Sequence, residues 1–358
     1  MTRLLRERLR NQRLIGAARR STPEDVVSRL GAVQAQDFAG GKWTVGLRSP
    51  ALTDAVVQAA FDAGRLLRTH VLRPTWHFVT PGDIRWMLEL TAPRVLMMSA
   101  YQFRRHELDS RLFVKAHAAF ERALCDRNFL TRPELSSVLQ KAGISATAQR
   151  LAQIVMRAEL DGIVCSGPRR GNQFTYALLA ERAVAAKTLT REEALAELAF
   201  RYFRSRGPAT LADFAWWSSL TMKDARAGVE MNRGRLAGRI IDGWTYWASA
   251  SQERSKRSAP LVHLLPTYDE YVISYKDRGN IMDRSGSARI AVRYEYAQWL
   301  VVDGRVKGTW KRTLDSTHVT IDLRAAAPVT QEERSGIRAA IRHYARFLER
   351  PVSLAARR

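Results

Sequence analysis

Residues 131–180 are the most legible block of the sequence, and that block constrains how the rest of the chain is read. Thr131 is followed three residues later by Glu134, with Pro133 in the first turn, a capped start for a helix. The apolar spacing predicts a helix from Arg132 to about Lys141 that stops at Gly143. A second runs from about Ala146 to Leu160, with Leu151, Ile154, Val155 and Ala158 on one face. Asp161-Gly162 ends it. Ile163–Ser166 and Gln173–Leu178 then read as strands joined by the basic turn Gly167-Pro168-Arg169-Arg170-Gly171-Asn172. Helix, helix and basic-tipped hairpin is the order of a winged helix-turn-helix.

The plan recurs. Thr190…Glu193 opens a helix over about 191–205, Gly207-Pro208 breaks it, and Thr210…Asp213 and Thr221…Asp224 open two more. Residues 239–247 read as a hairpin about Asp242-Gly243. Residues 1–110 fit the same order, with helices near 3–18, 22–32 and 51–62, extended Leu66–Leu72 and Trp76–Val79, and a further start at Thr80…Asp83. From about residue 260 the apolar period falls to two. Leu261–Tyr275, Arg289–Val302, Val306–Arg312 and Thr317–Leu323 read as strands, with a turn at Asp303-Gly304. Thr330…Glu333 opens a closing amphipathic helix carrying Ile337, Ile341, Tyr344 and Leu348. The expectation is an α+β chain. Three tandem winged helix-turn-helix units would occupy 1–115, 116–185 and 186–255, and a small barrel-like β domain with a closing helix would occupy 256–358.

Charge narrows the partner. Lys and Arg number 58 against 35 Asp and Glu, a net +23, and all but nine of the cations are arginine. A GC-rich genome explains arginine over lysine but not the shortage of acids. A surplus of this size suits a polyanion, nucleic acid first and an anionic membrane surface second. Two cysteines, Cys125 and Cys165, make neither a disulfide framework nor a Cys-rich zinc site. The seven histidines never take H-E-x-x-H spacing, and there is no phosphate loop, dinucleotide-binding glycine motif or G-x-S-x-G elbow. No cofactor and no metal is expected. No run of about 18 apolar residues predicts a membrane span, and Arg6, Glu7, Arg8 and Arg10 interrupt any secretory apolar stretch. The reading is a cytoplasmic, nucleoid-associated protein that does not engage a membrane.

Three strings set polar groups in an apolar frame, where they must be paired or functional. They are Gly31–Phe38 (GAVQAQDF), Leu72–Val79 (LRPTWHFV) and Leu264–Tyr271 (LLPTYDEY), the last continuing to Tyr275-Lys276-Asp277-Arg278. With QAQD at 34–37, RPTWHF at 73–78, TRPEL at 131–135, RYFRSRGPAT at 201–210, DFAWWS at 213–218 and the G-x-W of Gly308–Trp310, the chain resembles the winged-helix DNA glycosylases typified by AlkZ and YcaQ. The shared order of these strings, over nearly the whole chain, carries the resemblance.

The resemblance implies three winged helices and a β domain around a concave DNA channel, acting as a monomer on double-stranded DNA with alkylated or crosslinked purines. It also implies a catalytic Gln–apolar–Gln motif, Gln34-Ala35-Gln36. The second position is aspartate in the YcaQ-like branch, so the chain is similar to the AlkZ-like branch, found among self-resistance enzymes of genotoxin producers. Gln36 would position water and Gln34 would orient or stabilise the transition state, or the two would exchange these roles; as plain residues, both could instead cap or bridge a helix end. Asp37 is a rival carboxylate. Without a lysine in the motif, hydrolysis without strand cleavage is expected. Arg73, Thr75 and His77, if extended, share one face and line the lesion pocket or grip a phosphate, unless His77 is structural. Arg169 and Arg170 would meet phosphate. Tyr268, Asp269, Lys276 and Arg278 either contact DNA or, with Glu270, form an internal ion-pair network. The turn Gly279–Ser287, with Arg284, is a candidate groove probe. The alternative is a winged-helix regulator without chemistry.

Overall fold

The computed structural model describes residues 1–16, 21–249, 260–282 and 297–355. An opening helix, α1 (Arg3–Asn11), buries Leu4, Leu5, Arg8 and Leu9. One order of elements then occurs three times. The first copy is α2 (Pro23–Leu30), β1 (Val33–Gln34), α3 (Phe38–Gly46), α4 (Asp54–Asp62), β2 (Leu67–Val71) and β3 (Arg73–Val79), with sheet order β1-β3-β2. The long α5 (Ile84–Arg105) follows. The second copy is α6 (Ser110–Leu124), β4 (Leu130–Thr131), α7 (Arg132–Lys141), α8 (Ala148–Leu160), β5 (Val164–Ser166) and β6 (Thr175–Leu178), with order β4-β6-β5. After α9 (Leu179–Arg182) the third is α10 (Arg191–Arg206), a single bridge from Ala209 to Trp247, α11 (Leu211–Ser218), α12 (Met222–Glu230), β7 (Leu236–Ile241) and β8 (Trp244–Ser249).

Local chemistry sets most helix starts. Thr131/Glu134, Thr190/Glu193, Thr210/Asp213, Thr221/Asp224 and Thr330/Glu333 all close reciprocal capping boxes. Thr80/Asp83 does not. Asp83 precedes α5 without capping it, and its carboxylate turns inward to Arg201 at 2.6 Å and the Trp86 indole at 3.2 Å. The α3 helix escapes the sequence pattern. The α3 segment contains Gly40, Gly41 and Gly46, poor helix formers, and at Gly41 and Gly46 the neighbours press close. A Cβ at Gly46 would strike the Phe347 ring, and one at Gly41 would crowd Ala35 and Phe78. The boundary drawn at 115/116 falls inside α6. The first helix stops at Asn11, not 18, with Arg13 at φ 57°.

The last segment has β9 (Val262–Leu265), one turn of helix α13 (Glu270–Ile273), β10 (Gln298–Val302), β11 (Arg305–Leu314), β12 (Val319–Ala325), α14 (Gln331–Leu348) and β13 (Val352–Leu354). The predicted strand 261–275 therefore ends at Leu265 and yields to α13. The sheet order is β13-β12-β11-β10-β9, with only β13 parallel to its neighbour. Among the described residues it keeps two edges and does not close into a barrel. The 255/256 boundary, residues 289–296 of one predicted strand, and Arg284 with most of its turn lie outside the described residues. Copies one and three share a core with the β segment, whereas copy two has its own, built from Phe113, Phe120, Leu135, Leu139, Leu151, Ile154 and neighbours.

Candidate active site

The site grows from β1. Gly31 at φ 77° ends α2 and delivers β1 against β3, with Val33 opposite Phe78 and Gln34 opposite His77. Side chains alternate across a strand. Val33, Ala35, Trp76 and Phe78 therefore take one side, and Gln34, Arg73, Thr75 and His77 the other. Ala35 is fixed by both backbone groups: its N–H donates to the Trp76 carbonyl at 2.8 Å and its carbonyl accepts from Arg68 Nε at 3.0 Å. Gln36 is exposed, and its Oε1 accepts from the Trp76 N–H at 3.3 Å.

Gln34 is buried. Its Oε1 accepts from Arg73 Nη2 at 3.2 Å, and the same nitrogen lies 3.4 Å from His77 Nε2. His77 Nδ1 is 2.9 Å from the Thr75 carbonyl, so that ring nitrogen carries the proton and donates. Burial, then the Arg73 charge, pushes His77 down to about 3, so the imidazole is neutral at working pH.

Beneath Gln34 lies a carboxylate that the sequence argument left outside the site. Glu270 Oε1 accepts the Gln34 backbone N–H at 2.9 Å. Its Oε2 accepts from Arg206 at 2.5 Å, Ser274 Oγ at 2.8 Å and the Trp217 indole at 2.9 Å. Burial works to raise this group, but Arg206 and Arg73 outweigh it and hold Glu270 at about 2. The neighbouring Asp269 points elsewhere and takes a two-pronged grip on Arg48, at 2.8 and 2.9 Å, with both side chains fully buried. This corrects Asp269 as a DNA contact. The internal-network alternative describes both acids, and they tie the first and third copies to α13.

The remaining residues sort by location. Gln34, Gln36, Arg73, Thr75 and His77 come together on β1 and β3. Arg278 is half-buried, and its positive charge acts on Arg73. Lys276 is exposed, and its backbone N–H donates to Asp213 at 2.9 Å. Tyr268 is half-buried beside Asp269. Arg169 stacks on Phe174 at 4.4 Å and on Phe38 at 5.3 Å, just past the glutamine motif. Arg170 is exposed at the hairpin tip and paired with Glu134 at 2.8 Å. Asp37 sits half-buried at the start of α3. The Trp76 indole donates to Glu159 on α8 at 3.2 Å, with Arg68 at 4.2 Å over the ring. Nothing in the sequence signalled Arg206, whose partner lies 64 residues on.

No group of three His, Cys, Asp or Glu among the described residues could hold a metal, and no described helix is long and apolar enough to cross a membrane. Fold and site together define a strongly basic α+β protein with a threefold helix–helix–hairpin plan and an amide-bearing strand at its centre. The chain belongs to the AlkZ-like family of DNA glycosylases, whose pattern matches residues 27–347. It is 27% identical over 307 residues to an interstrand DNA cross-link repair glycosylase of Streptomyces sahachiroi, covering 80% of this chain and 81% of that one. Its fold matches the solved structure of Streptomyces sahachiroi DNA glycosylase AlkZ with a TM-score of 0.76 at 22% identity, over 99% of this chain and 100% of that one. The protein is thus a DNA glycosylase.

Proposed function

We propose that the enzyme hydrolyses the N-glycosidic bond of cationic N7-alkylpurines, including bulky adducts and interstrand crosslinks, without cutting the strand. The three copies would serve as winged helices lining a DNA channel, and the enzyme would work as a monomer at the nucleoid. The observation that carries the reading is the pair of neutral amides, Gln34 and Gln36, with the carboxylate that holds the Gln34 backbone N–H unavailable for proton transfer. Glu270 is buried, ionised and already accepts four hydrogen bonds, so it is no general acid.

N7-alkylation gives the base a fixed positive charge, so it leaves with the bonding electrons and needs no proton. Water then adds to the electron-poor sugar carbon and gives its proton to solvent water, leaving the abasic sugar. The exposed Gln36 oxygen has a second lone pair to orient that water. An amide stabilises an oxocarbenium-like centre less than a carboxylate does, which restricts the enzyme to labile cationic adducts and disfavours neutral lesions such as uracil. The name of the Streptomyces relative supports crosslinks as substrates. Family membership gives the regulator alternative no support.

Single-turnover base release tests the reading, on duplexes carrying N7-methylguanine or a nitrogen-mustard crosslink. Wild-type protein is expected to release the base, and Gln34→Ala and Gln36→Ala to lose at least about tenfold in rate while still binding DNA. Release unaffected by either substitution would sink the assignment.

A further inference from the structure

We propose that Arg73 is a positioning residue that fixes Gln34 as a hydrogen-bond donor to the lesion nucleotide, an inference that rests on the glycosylase reading above. An amide side chain can present either end, and its neighbours decide which. Arginine offers only donors. With Arg73 Nη2 3.2 Å away, Gln34 must turn its oxygen inward; the reverse orientation would set NH₂ against NH₂. Arg73 is held in turn. Its Nη2 carries two hydrogens, and the second is directed at His77 Nε2, a bare lone pair because Nδ1–H is engaged by Thr75. Arg73 sits in the field of Arg206 and Arg278, and the Glu270 charge offsets that repulsion. The chain Thr75–His77–Arg73–Gln34 therefore leaves the Gln34 NH₂ as the end that faces away from the arginine. Its acceptor is an oxygen of the nucleotide, on the sugar or the phosphate. The water-orienting oxygen is left to Gln36, so the two glutamines take opposite roles.

This differs measurably from Arg73 gripping a phosphate itself. In single-turnover release at saturating protein, Arg73→Met is expected to slow the chemical step by about ten- to a hundredfold, as misplacement of a reacting group does. Its Kd for the lesion duplex and the salt dependence of binding should stay within about twofold, a measurement that also certifies folding. The double variant Gln34→Ala/Arg73→Met should be no slower than Gln34→Ala alone, because both changes remove one function. Independently of activity, the Gln34 side-chain amide resonance in glutamine-labelled protein should move to the free-amide position in Arg73→Met. Weaker binding with a salt slope reduced by about 1 and the rate retained, multiplying losses in the double variant, or an unmoved resonance would each overturn the proposal. Full release by Gln34→Ala would instead defeat the functional reading, with the resonance still deciding where the amide is held.

Discussion

Glu270→Gln is the sharpest test of how the site is built. Every partner of this carboxylate is a donor: the Gln34 N–H, Arg206, the Trp217 indole and Ser274 Oγ. A glutamine there must aim its NH₂ at one of them, whichever way it turns. It also leaves Arg206 buried without a counter-charge, holding only the Leu30 and Ala32 carbonyls and two hydroxyls. Breaking one side of a buried pair costs about 3–5 kcal/mol. Linkage gives a similar figure: the gap between about 2 in the fold and the ordinary 4.5 corresponds to about 3 kcal/mol. The folded value is the lower one, so this stability is fully present above 4.5 and disappears as pH falls toward 2. Urea unfolding followed by tryptophan fluorescence reads the right region. Trp43, Trp86, Trp217, Trp299 and Trp310 lie in the shared core, and copy two contains no tryptophan. The expected result is a variant about 3–5 kcal/mol less stable at pH 7, with the difference from wild type shrinking as pH is lowered from 5 to 3. Equal stability at pH 7, or a constant difference down to pH 3, would refute the charge argument.

Two further predictions are shorter. Gly46→Ala places a methyl against the Phe347 ring and should cost about 1–3 kcal/mol through overpacking, read in the same urea experiment; an unchanged midpoint would show that α14 yields freely. Arg170→Ala should weaken binding to damaged and undamaged duplex alike and reduce the salt slope by about 1, and an unaltered slope would remove this hairpin tip from the DNA-binding surface.

What was legible in the sequence was what chemistry writes locally. A threonine and an acid three residues apart cap a helix wherever they fall, so five of the predicted starts close as reciprocal boxes. The face shared by Arg73, Thr75 and His77 follows from a period of two. Where tertiary packing overrides local preference, the reading failed. Glycines that oppose a helix in isolation are what let α3 approach Ala35, Phe78 and Phe347. Asp269 and Glu270 are adjacent in sequence and look alike, yet one turns to Arg48 and the other to Arg206 and Gln34. Only the fold separates them, since their partners come from the first and third copies.

The same burial bears on the argument from charge. A surplus of +23 speaks for a DNA surface only if it lies on the surface. Several arginines do not: Arg8, Arg48, Arg68, Arg201 and Arg206 are buried, as is Lys42. They bind carbonyls and acids inside the protein and cannot neutralise phosphate. The acids, however, are buried in nearly equal number: Asp83, Glu159, Asp213, Asp269 and Glu270. Among the described residues, burial therefore withdraws six cations and five acids, and the surface excess is almost untouched. Of the interior arginines, Arg206 ties the third copy to the first and to α13, and Arg48 ties the first copy to the residue that caps α13. The exposed ones retain the field that would draw in the duplex and give binding a steep salt dependence. On the proposed function, attraction to any duplex and the chemistry assigned to Gln34 and Gln36 would be carried by separate sets of residues, and discrimination between lesions would fall to the amide-bearing strand and the groups that position it.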